Sequence, residues 1–403
     1  MADNMYDAIV VGARCAGAPA AMLLARKGYK VLVVDRATFP SDTVSTHLLQ
    51  PEAVAALKRW GLLDRVVETG VPPIHTYSFD FGPFVLRGSP AIDGVPATYA
   101  PRRTVLDKIL VDAAREAGAE VREGFSVQDV LFEDGTVTGI AGHGQGGSTI
   151  TEKARVVIGA DGLRSKVAAA VRPEQYNEKP ALLCGYYSYW SGLPMNGVSE
   201  THVLPNRGFA AWPTNDGLTL IICGWPQREF EANRDDIEGN VMKTLAMVPE
   251  FSARLAMAKR EERFAGMFVP NYFRKPYGPG WALVGDAGYN KDFITAQGIQ
   301  DAFRDAELCV NAVDEAFTGK RHFYAAMAEY QSRRDQHVAG TYELTTMLAT
   351  IEPPPPPMAA ILAAAAGNQE AMDAFMRVAA GVAPPSSFFS PASAETSLAA
   401  TAG

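Results

Sequence analysis

Apolar and polar positions along this chain switch between two periods, and each switch marks an element. The apolar run Ala8 to Val11 ends at Gly12 and passes into small residues at helical spacing, which predicts strand, tight turn and helix. A second run, Val31-Leu32-Val33-Val34, closes on Asp35 as the next strand of a βαβ unit. Pro51 at a first helical position, an apolar face through Trp60 and Gly61 behind it predict a helix. Tyr77 to Leu86 reads as a hairpin about Gly82-Pro83. Val105, Leu106, Ile109, Leu110 and Ala113 share one face of a helix from Arg103 to Ala117, stopped by Gly118. Turns at Asp134-Gly135 and in the Gly142 to Gly147 loop lead to a buried strand, Arg155 to Gly159.

From Ala181 the character changes. Leu183 to Trp190, Thr201 to Leu204, Phe209 to Pro213 and Leu218 to Gly224 alternate aromatic and small residues, with Asn215-Asp216-Gly217 as a turn. They predict an antiparallel sheet. A helical stretch spans Asp235 to Lys259, Trp281 to Val284 returns to strand, and Ala296 to Val313 is helical within a helical region that runs to Ala349. The five prolines Pro353 to Pro357 predict an extended strap before an alanine-rich helical piece. The expected fold class is α/β. A doubly wound, Rossmann-like cofactor domain (1–75, 97–180 and 265–330) is interrupted by an antiparallel-sheet substrate domain (76–96 and 181–264). A helical cover (331–389) and a flexible tail (390–403) follow.

Composition narrows the class. The 403 residues are 47% hydrophobic and 20% charged, which suits a globular chain of more than one domain. A net charge of −8 without basic runs argues against a nucleic-acid partner. Cys15, Cys184, Cys223 and Cys309 stand apart with no metal or disulfide spacing. No basic region precedes the first apolar run and no stretch reaches the roughly 18 apolar residues of a membrane helix. The expectation is a soluble, cytoplasmic protein without integral membrane association; nothing fixes its oligomeric state.

The chemistry lies in two distant turns. Gly12-Ala13-Arg14-Cys15-Ala16-Gly17 follows the first strand and opens a helix, where backbone N–H groups meet a pyrophosphate. Arg14 replaces the middle glycine of the usual fingerprint and offers a cation instead. Asp35, with Arg36 beside it, ends the second strand where a ribose hydroxyl would sit. Cys15 either fills space or is a thiol with pKa lowered by the helix N-terminus. Gly285-Asp286-Ala287 is a second strand–turn–helix at the far end of the chain. Two such turns fit FAD, whose ribityl and flavin portion needs contacts of its own.

A third segment, Val157 to Val167 around Asp161-Gly162, completes the set. Together the three resemble the class A, para-hydroxybenzoate hydroxylase-like FAD monooxygenases and the related geranylgeranyl reductases and flavin halogenases, over roughly residues 5–345. The resemblance implies that Asp161-Gly162 touches both FAD and transient NAD(P)H, and that Asp286 holds the ribityl chain. It implies that Gly298 and Ile299 open a helix facing the flavin, that Arg103 packs on FAD, and that Val127 meets the adenine. After Asp286 the family's histidine, prolines, glycine turn and D-A pair are matched by Tyr289, Asp292-Phe293, Ala296-Gln297-Gly298 and Asp305-Ala306. Asp292-Phe293 in place of two prolines reshapes the substrate pocket.

Tyr186, Tyr189, Phe209 and Trp212 line that pocket or pack a core; Tyr289 and Phe293 are further candidates. His47 contacts the flavin, acts as a base, or is structural. The implied reaction is oxygen insertion into a hydrophobic or aromatic molecule by NAD(P)H, dioxygen and a C4a-hydroperoxyflavin, which needs no protein nucleophile; no catalytic residue or metal is assigned. Reduction of an alkene or prenyl chain is the alternative, although the reductases' cysteine-glycine loop is missing after Asp35. Halogenation ranks lower, since Ala211-Trp212-Pro213 is only a fragment of the halogenase segment. A non-catalytic flavin protein also ranks lower. No second glycine fingerprint lies between Gly118 and Gly280, so NAD(P)H has no domain of its own. Arg164 is its candidate contact or a solvated helix-start arginine.

Overall fold

A computed structural model describes residues 5–144 and 146–389, so the expected flexible tail 390–403 lies outside it. The chain opens with strand β1 (Tyr6–Val11), helix α1 (Gly17–Arg26), strand β2 (Val31–Asp35) and helix α2 (Pro51–Trp60). Gly61 ends α2 in the left-handed region at φ 75°, a conformation that glycine adopts without a Cβ penalty. Helix α3 (Leu63–Val67), the hairpin β3 (Thr76–Asp80) and β4 (Val85–Gly88), and helix α4 (Arg103–Glu116) follow. Then come β5 (Glu120–Glu123), β6 (Ser126–Glu133), β7 (Thr136–His143), β8 (Thr149–Gly159) and α5 (Lys166–Val171).

The middle of the chain supplies β9 (Gln175–Lys179), β10 (Leu183–Ser191), β11 (Val198–Leu204), β12 (Arg207–Pro213) and β13 (Thr219–Pro226). The expected single helix over 235–259 is instead three: α6 (Phe230–Asp235), α7 (Ile237–Leu245) and α8 (Pro249–Leu255). Asp236 breaks the first join by capping α7 through Gly239 N (2.9 Å), and Pro249 restarts the chain at a first helical position. Short strands β14 (Lys259–Arg260), β15 (Ala265–Phe268), β16 (Asn271–Arg274), β17 (Tyr277–Gly278), β18 (Trp281–Leu283) and β19 (Tyr289–Asn290) lead to α9 (Gly298–Phe317) and α10 (Phe323–Leu348). Ala296, expected to start α9, is left-handed at φ 50°, so the helix begins two residues later.

The last described elements are α11 (Pro356–Ala365) and α12 (Gln369–Ala379). Here the proline strap needs correction: Pro356 and Pro357 form the first turn of α11. An initial turn has no use for their missing N–H groups, so only the prolines before them stay extended.

The first sheet runs β17-β18-β8-β1-β2-β5, parallel from β18 to β5. Alternate residues of β1 serve two layers. Ala8 and Val10 pack towards α1, α4 and α9, while Ile9 and Val11 pack under the β6–β7 hairpin with Val167 of α5. The second sheet runs β14-β10-β13-β12-β11-β3-β4, antiparallel except where β3 joins β11. It also takes β15 along β10, so the chain leaves this sheet only after Phe268, later than the expected boundary at 265. One face of the second sheet is covered by α7 and α8, the other by α11, α12 and the Leu48 and Ala296 loops. A small third sheet, β19-β16-β9, lies against α10. The first turns of α10 (Ala326, Met327 and Tyr330) pack into the core of the first sheet, and Val338 and Tyr342 pack on the third.

Candidate active site

At the first turn, Gly12 adopts φ 101°, and a Cβ there would run into the Ala160 carbonyl; one on Gly17 would meet the Gly12 carbonyl. The fingerprint glycines thus let β1, α1 and the end of β8 close on one another. Asp35 clamps this turn: its carboxylate accepts from Ala13 N and Ala37 N, both at 2.8 Å. Arg36 is exposed beside it. Val127 is buried in β6, two residues after Phe125, whose N–H donates to the Asp35 carbonyl.

Arg14 does not stand free for a pyrophosphate. Its guanidinium pairs with Asp107 of α4, donates to Ser41 Oγ (2.7 Å), and lies over Phe39. Asp107 is wholly buried and also takes a two-pronged contact from buried Arg103 (3.0 and 3.1 Å). A shielded carboxylate demands such compensation, which is why two arginines converge on it. Cys15 donates its thiol to Asp107 (3.4 Å), and burial pushes the thiol's pKa up. That corrects the lowered pKa expected at a helix N-terminus. Ala16 is buried facing Gly285, which joins the two distant turns.

Asp161 spends its carboxylate on helix α5, accepting from Ser165 Oγ and Lys166 N at 2.5 Å each. Burial raises its pKa. Gly162, at φ 74°, has open space where a Cβ would stand.

Around Asp286 the backbone is fixed and the carboxylate is not. Tyr272 donates to the Asp286 carbonyl (2.8 Å), Arg274 to that of Ala287 (2.9 Å) and Arg334 to that of Gly288 (3.2 Å). The Asp286 side chain is deep in the molecule yet exposed to open space. Desolvation there raises its pKa to about 6 against the pull of Arg103. Gly298, opening α9, is likewise exposed and has no atom where a Cβ would be, with Ile299 buried behind it. A helix N-terminus carries unpaired N–H groups and a partial positive charge. An unshared carboxylate, an open glycine and a helix start around one cradle suit FAD. Behind α9, Lys291 pairs with Asp301, and Arg304 bridges Asp301 (2.7 Å) and Asp305 (3.0 Å), so this end of the helix rests on buried ion pairs.

The second sheet presents its inner face beside this cradle. Gly185, Tyr187 and Tyr189 point inward from β10, opposite Gly224, Ile222 and Leu220 of β13, with Trp212 next across β12. Phe293 covers Gly185, where a Cβ would strike its ring. Tyr186 does not line this face. It stacks on Phe230 at 5.6 Å on the opposite side, where Phe209 also packs. Tyr289 also leaves the pocket, because β19 pairs with β16 and turns its ring onto Phe273 (4.6 Å) and Tyr342.

His47 is fully buried at φ 64° and hydrogen-bonded through Nε2 to Tyr189 OH. Trp212 Nε1 donates to the Thr46 carbonyl (3.1 Å), and His47 N donates to Ser45 Oγ. Burial, then Arg103 and Arg102, lower its pKa to about 3, which removes it as a base near neutral pH. Tyr187, Arg102 and Asp107 were missed in the sequence. Arg102 lies 4.4 Å over the Tyr189 ring and pairs with Glu262 (2.6 Å). No local signal marks any of the three; both faces of β10 are buried, so its sequence does not separate Tyr187 from Tyr186.

This doubly wound sheet, its cofactor cradle and its neighbouring aromatic face define an FAD-dependent oxidoreductase. The chain belongs to the FAD binding domain family, which it matches over residues 5–345. It is 34% identical over 352 residues to a phenazine 1,6-dicarboxylic acid hydroxylase of Lysobacter antibioticus, covering 77% of this chain and 82% of that protein. It is 28% identical over 364 residues to digeranylgeranylglycerophospholipid reductase 1 of Methanopyrus kandleri, covering 86% and 91%. A myxobacterial chondrochloren halogenase shares the fold at TM-score 0.81 and 21% identity, covering 94% of this chain and all of that one (100%). Among the described residues no helix is long and apolar enough to cross a membrane, and no cluster of His, Cys, Asp and Glu suits a metal.

Proposed function

We propose that this protein is an NAD(P)H-dependent monooxygenase that inserts one oxygen atom into a small hydrophobic or aromatic molecule. The observation that carries the reading is the shielded inner face of Tyr187, Tyr189, Trp212, Leu220 and Ile222 set against the cradle of Asp286 and Gly298. Bound FAD supplies electron exchange with NAD(P)H and activation of dioxygen. The chain's own part is to hold FAD with the Gly12–Gly17 turn, Asp286 and the start of α9. It also keeps water from the aromatic face and orients the substrate there. The hydroxylase relative supports this reading. The reductase relative supports a second, in which the same face takes a prenyl chain and an alkene is reduced.

NAD(P)H docks transiently at an open groove of about 470 Å³ lined by Arg164, Arg172 and Arg274. Arg274 links that groove to the Asp286 turn through the Ala287 carbonyl. Four buried, unpaired cysteines suit a reducing cytoplasm.

The test supplies the FAD-loaded protein with NADH or NADPH, isotopically labelled dioxygen, and hydrophobic aromatic and prenyl compounds. The expected product carries one labelled oxygen atom. A product that gains two hydrogens with or without oxygen would establish the reductase reading instead.

A further inference from the structure

The open groove of about 470 Å³ beside α5 is lined by three arginines and by no carboxylate. Arg274 is held in place: its Nη1 donates to the Ala287 carbonyl (2.9 Å), and its guanidinium lies 4.3 Å over the Tyr272 ring. Arg164 and Arg172 are exposed, and neither has an ion-pair or side-chain hydrogen-bond partner among the described residues. Three guanidinium groups lining one groove repel one another, and an anion seated among them relieves that repulsion.

Their positions narrow the kind of anion. The six residues of α5 separate Arg164 from Arg172, about 9 Å of helix. Two anionic groups set apart on one ligand fit that spacing better than a single phosphate does. Gly159 at the end of β8 pairs with Leu283 of β18, the strand that leads to Asp286, so the Arg164 end of α5 is the one beside the cradle. Arg172 occupies the C-cap of α5 at φ 47°, a left-handed position where glycine or asparagine is usual. A residue with a Cβ is held there against a backbone cost, as happens where a ligand is clamped. The result is a free cation at the far end of the groove.

We propose that this groove selects NADPH over NADH. Arg164 meets the pyrophosphate that both dinucleotides carry. Arg172 meets the 2′-phosphate that NADPH alone carries, in the charge-assisted, forked contact that a guanidinium offers a phosphate. The inference rests on reading the groove as the docking site of the reductant.

Calorimetric titration of FAD-loaded protein at low ionic strength with NADP+ and NAD+, which differ only in that phosphate, tests it. NADP+ should bind at least about tenfold more tightly, and added salt should erode the difference, as it does for exposed charges. Arg172→Gly removes the cation and relieves the left-handed backbone. It should fold at least as stably while the NADP+-to-NAD+ affinity ratio falls close to one. Arg172→Lys keeps the charge and should keep part of the ratio. Arg164→Ala should weaken both dinucleotides alike. Equal binding of the two by the unaltered protein, or a ratio that Arg172→Gly leaves in place, overturns the proposal. So does tighter binding of coenzyme A, whose extra phosphate sits on the 3′ oxygen. If Arg164→Ala still weakens both dinucleotides in those cases, the docking reading survives the loss. Binding that neither variant alters, or no binding of either dinucleotide, removes the groove as the docking site and the proposal with it.

Discussion

Aspartates in this protein differ in role because their surroundings differ. Asp107 is neutralised by Arg14 and Arg103, while Asp286 keeps a carboxylate that no protein donor among the described residues engages. Asp286→Ala should therefore weaken FAD retention more than other single changes at the cradle. A charge-assisted hydrogen bond is worth about 1.5–3 kcal/mol, or roughly a tenfold to hundredfold rise in the FAD dissociation constant, measured by flavin release on dilution. Unchanged retention would remove Asp286 from the cradle. Asp292 is a different case: Oδ1 accepts from Ile294 N (3.0 Å) and Oδ2 is buried without a partner. Burial raises its pKa from 3.8 to about 7. A carboxyl whose folded pKa is raised favours folding below its unfolded pKa and loses that advantage as pH climbs through the folded value. Between about pH 4 and pH 7 the protein should lose about 1–4 kcal/mol on this account. Asp292→Asn should shed most of that loss. Denaturant unfolding at several pH values checks it, and parallel pH profiles for the two proteins would refute it.

At the scale of elements, the legible parts are those whose signal is local. Pro51 and Gly61 bracket α2, Gly118 follows α4, and the β3–β4 hairpin turns at Gly82-Pro83, all written in adjacent residues. Which face of β10 meets the cofactor cradle was not legible. Both faces of that strand are buried, so its sequence carries no polar alternation to fix parity, and Tyr186 and Tyr187 read alike. The turn before α1 shows the same limit. Arg14 reads as a damaged fingerprint until Asp107, ninety-three residues away, explains it. Restoring the glycine should therefore harm the protein. Arg14→Gly should cost about 1.5–3 kcal/mol of stability by stripping one cation from a buried carboxylate, without tightening FAD. Thermal unfolding with and without added FAD checks this, and a stabilised variant that binds FAD more tightly would reverse it.

At the scale of the whole molecule, distant segments meet at one end of α9. Gln297 Nε2 donates to the Ala379 carbonyl (3.1 Å) at the end of α12, and Gly88 packs against Asp373, so the C-terminal cover is pinned to both the cradle and the second sheet. The aromatic face is thereby closed from behind, and in the proposed reaction NAD(P)H arrives from another side. The Arg164 groove lies at the end of β8, beside strands β9 and β16, and connects to the Asp286 turn through Arg274. Arg164 is exposed and Asp161 is committed to capping α5, so removing the arginine leaves the fold's contacts in place. Arg164→Ala should slow flavin reduction several-fold at limiting NAD(P)H, with FAD content, thermal stability and oxidation of the reduced protein by dioxygen unchanged. Stopped-flow reduction across NAD(P)H concentrations separates the outcomes. A slower rate that saturating NAD(P)H restores places the docking site at this groove. A parallel loss of FAD would move Arg164 into cofactor retention, and an unchanged rate would require the reductant to enter elsewhere.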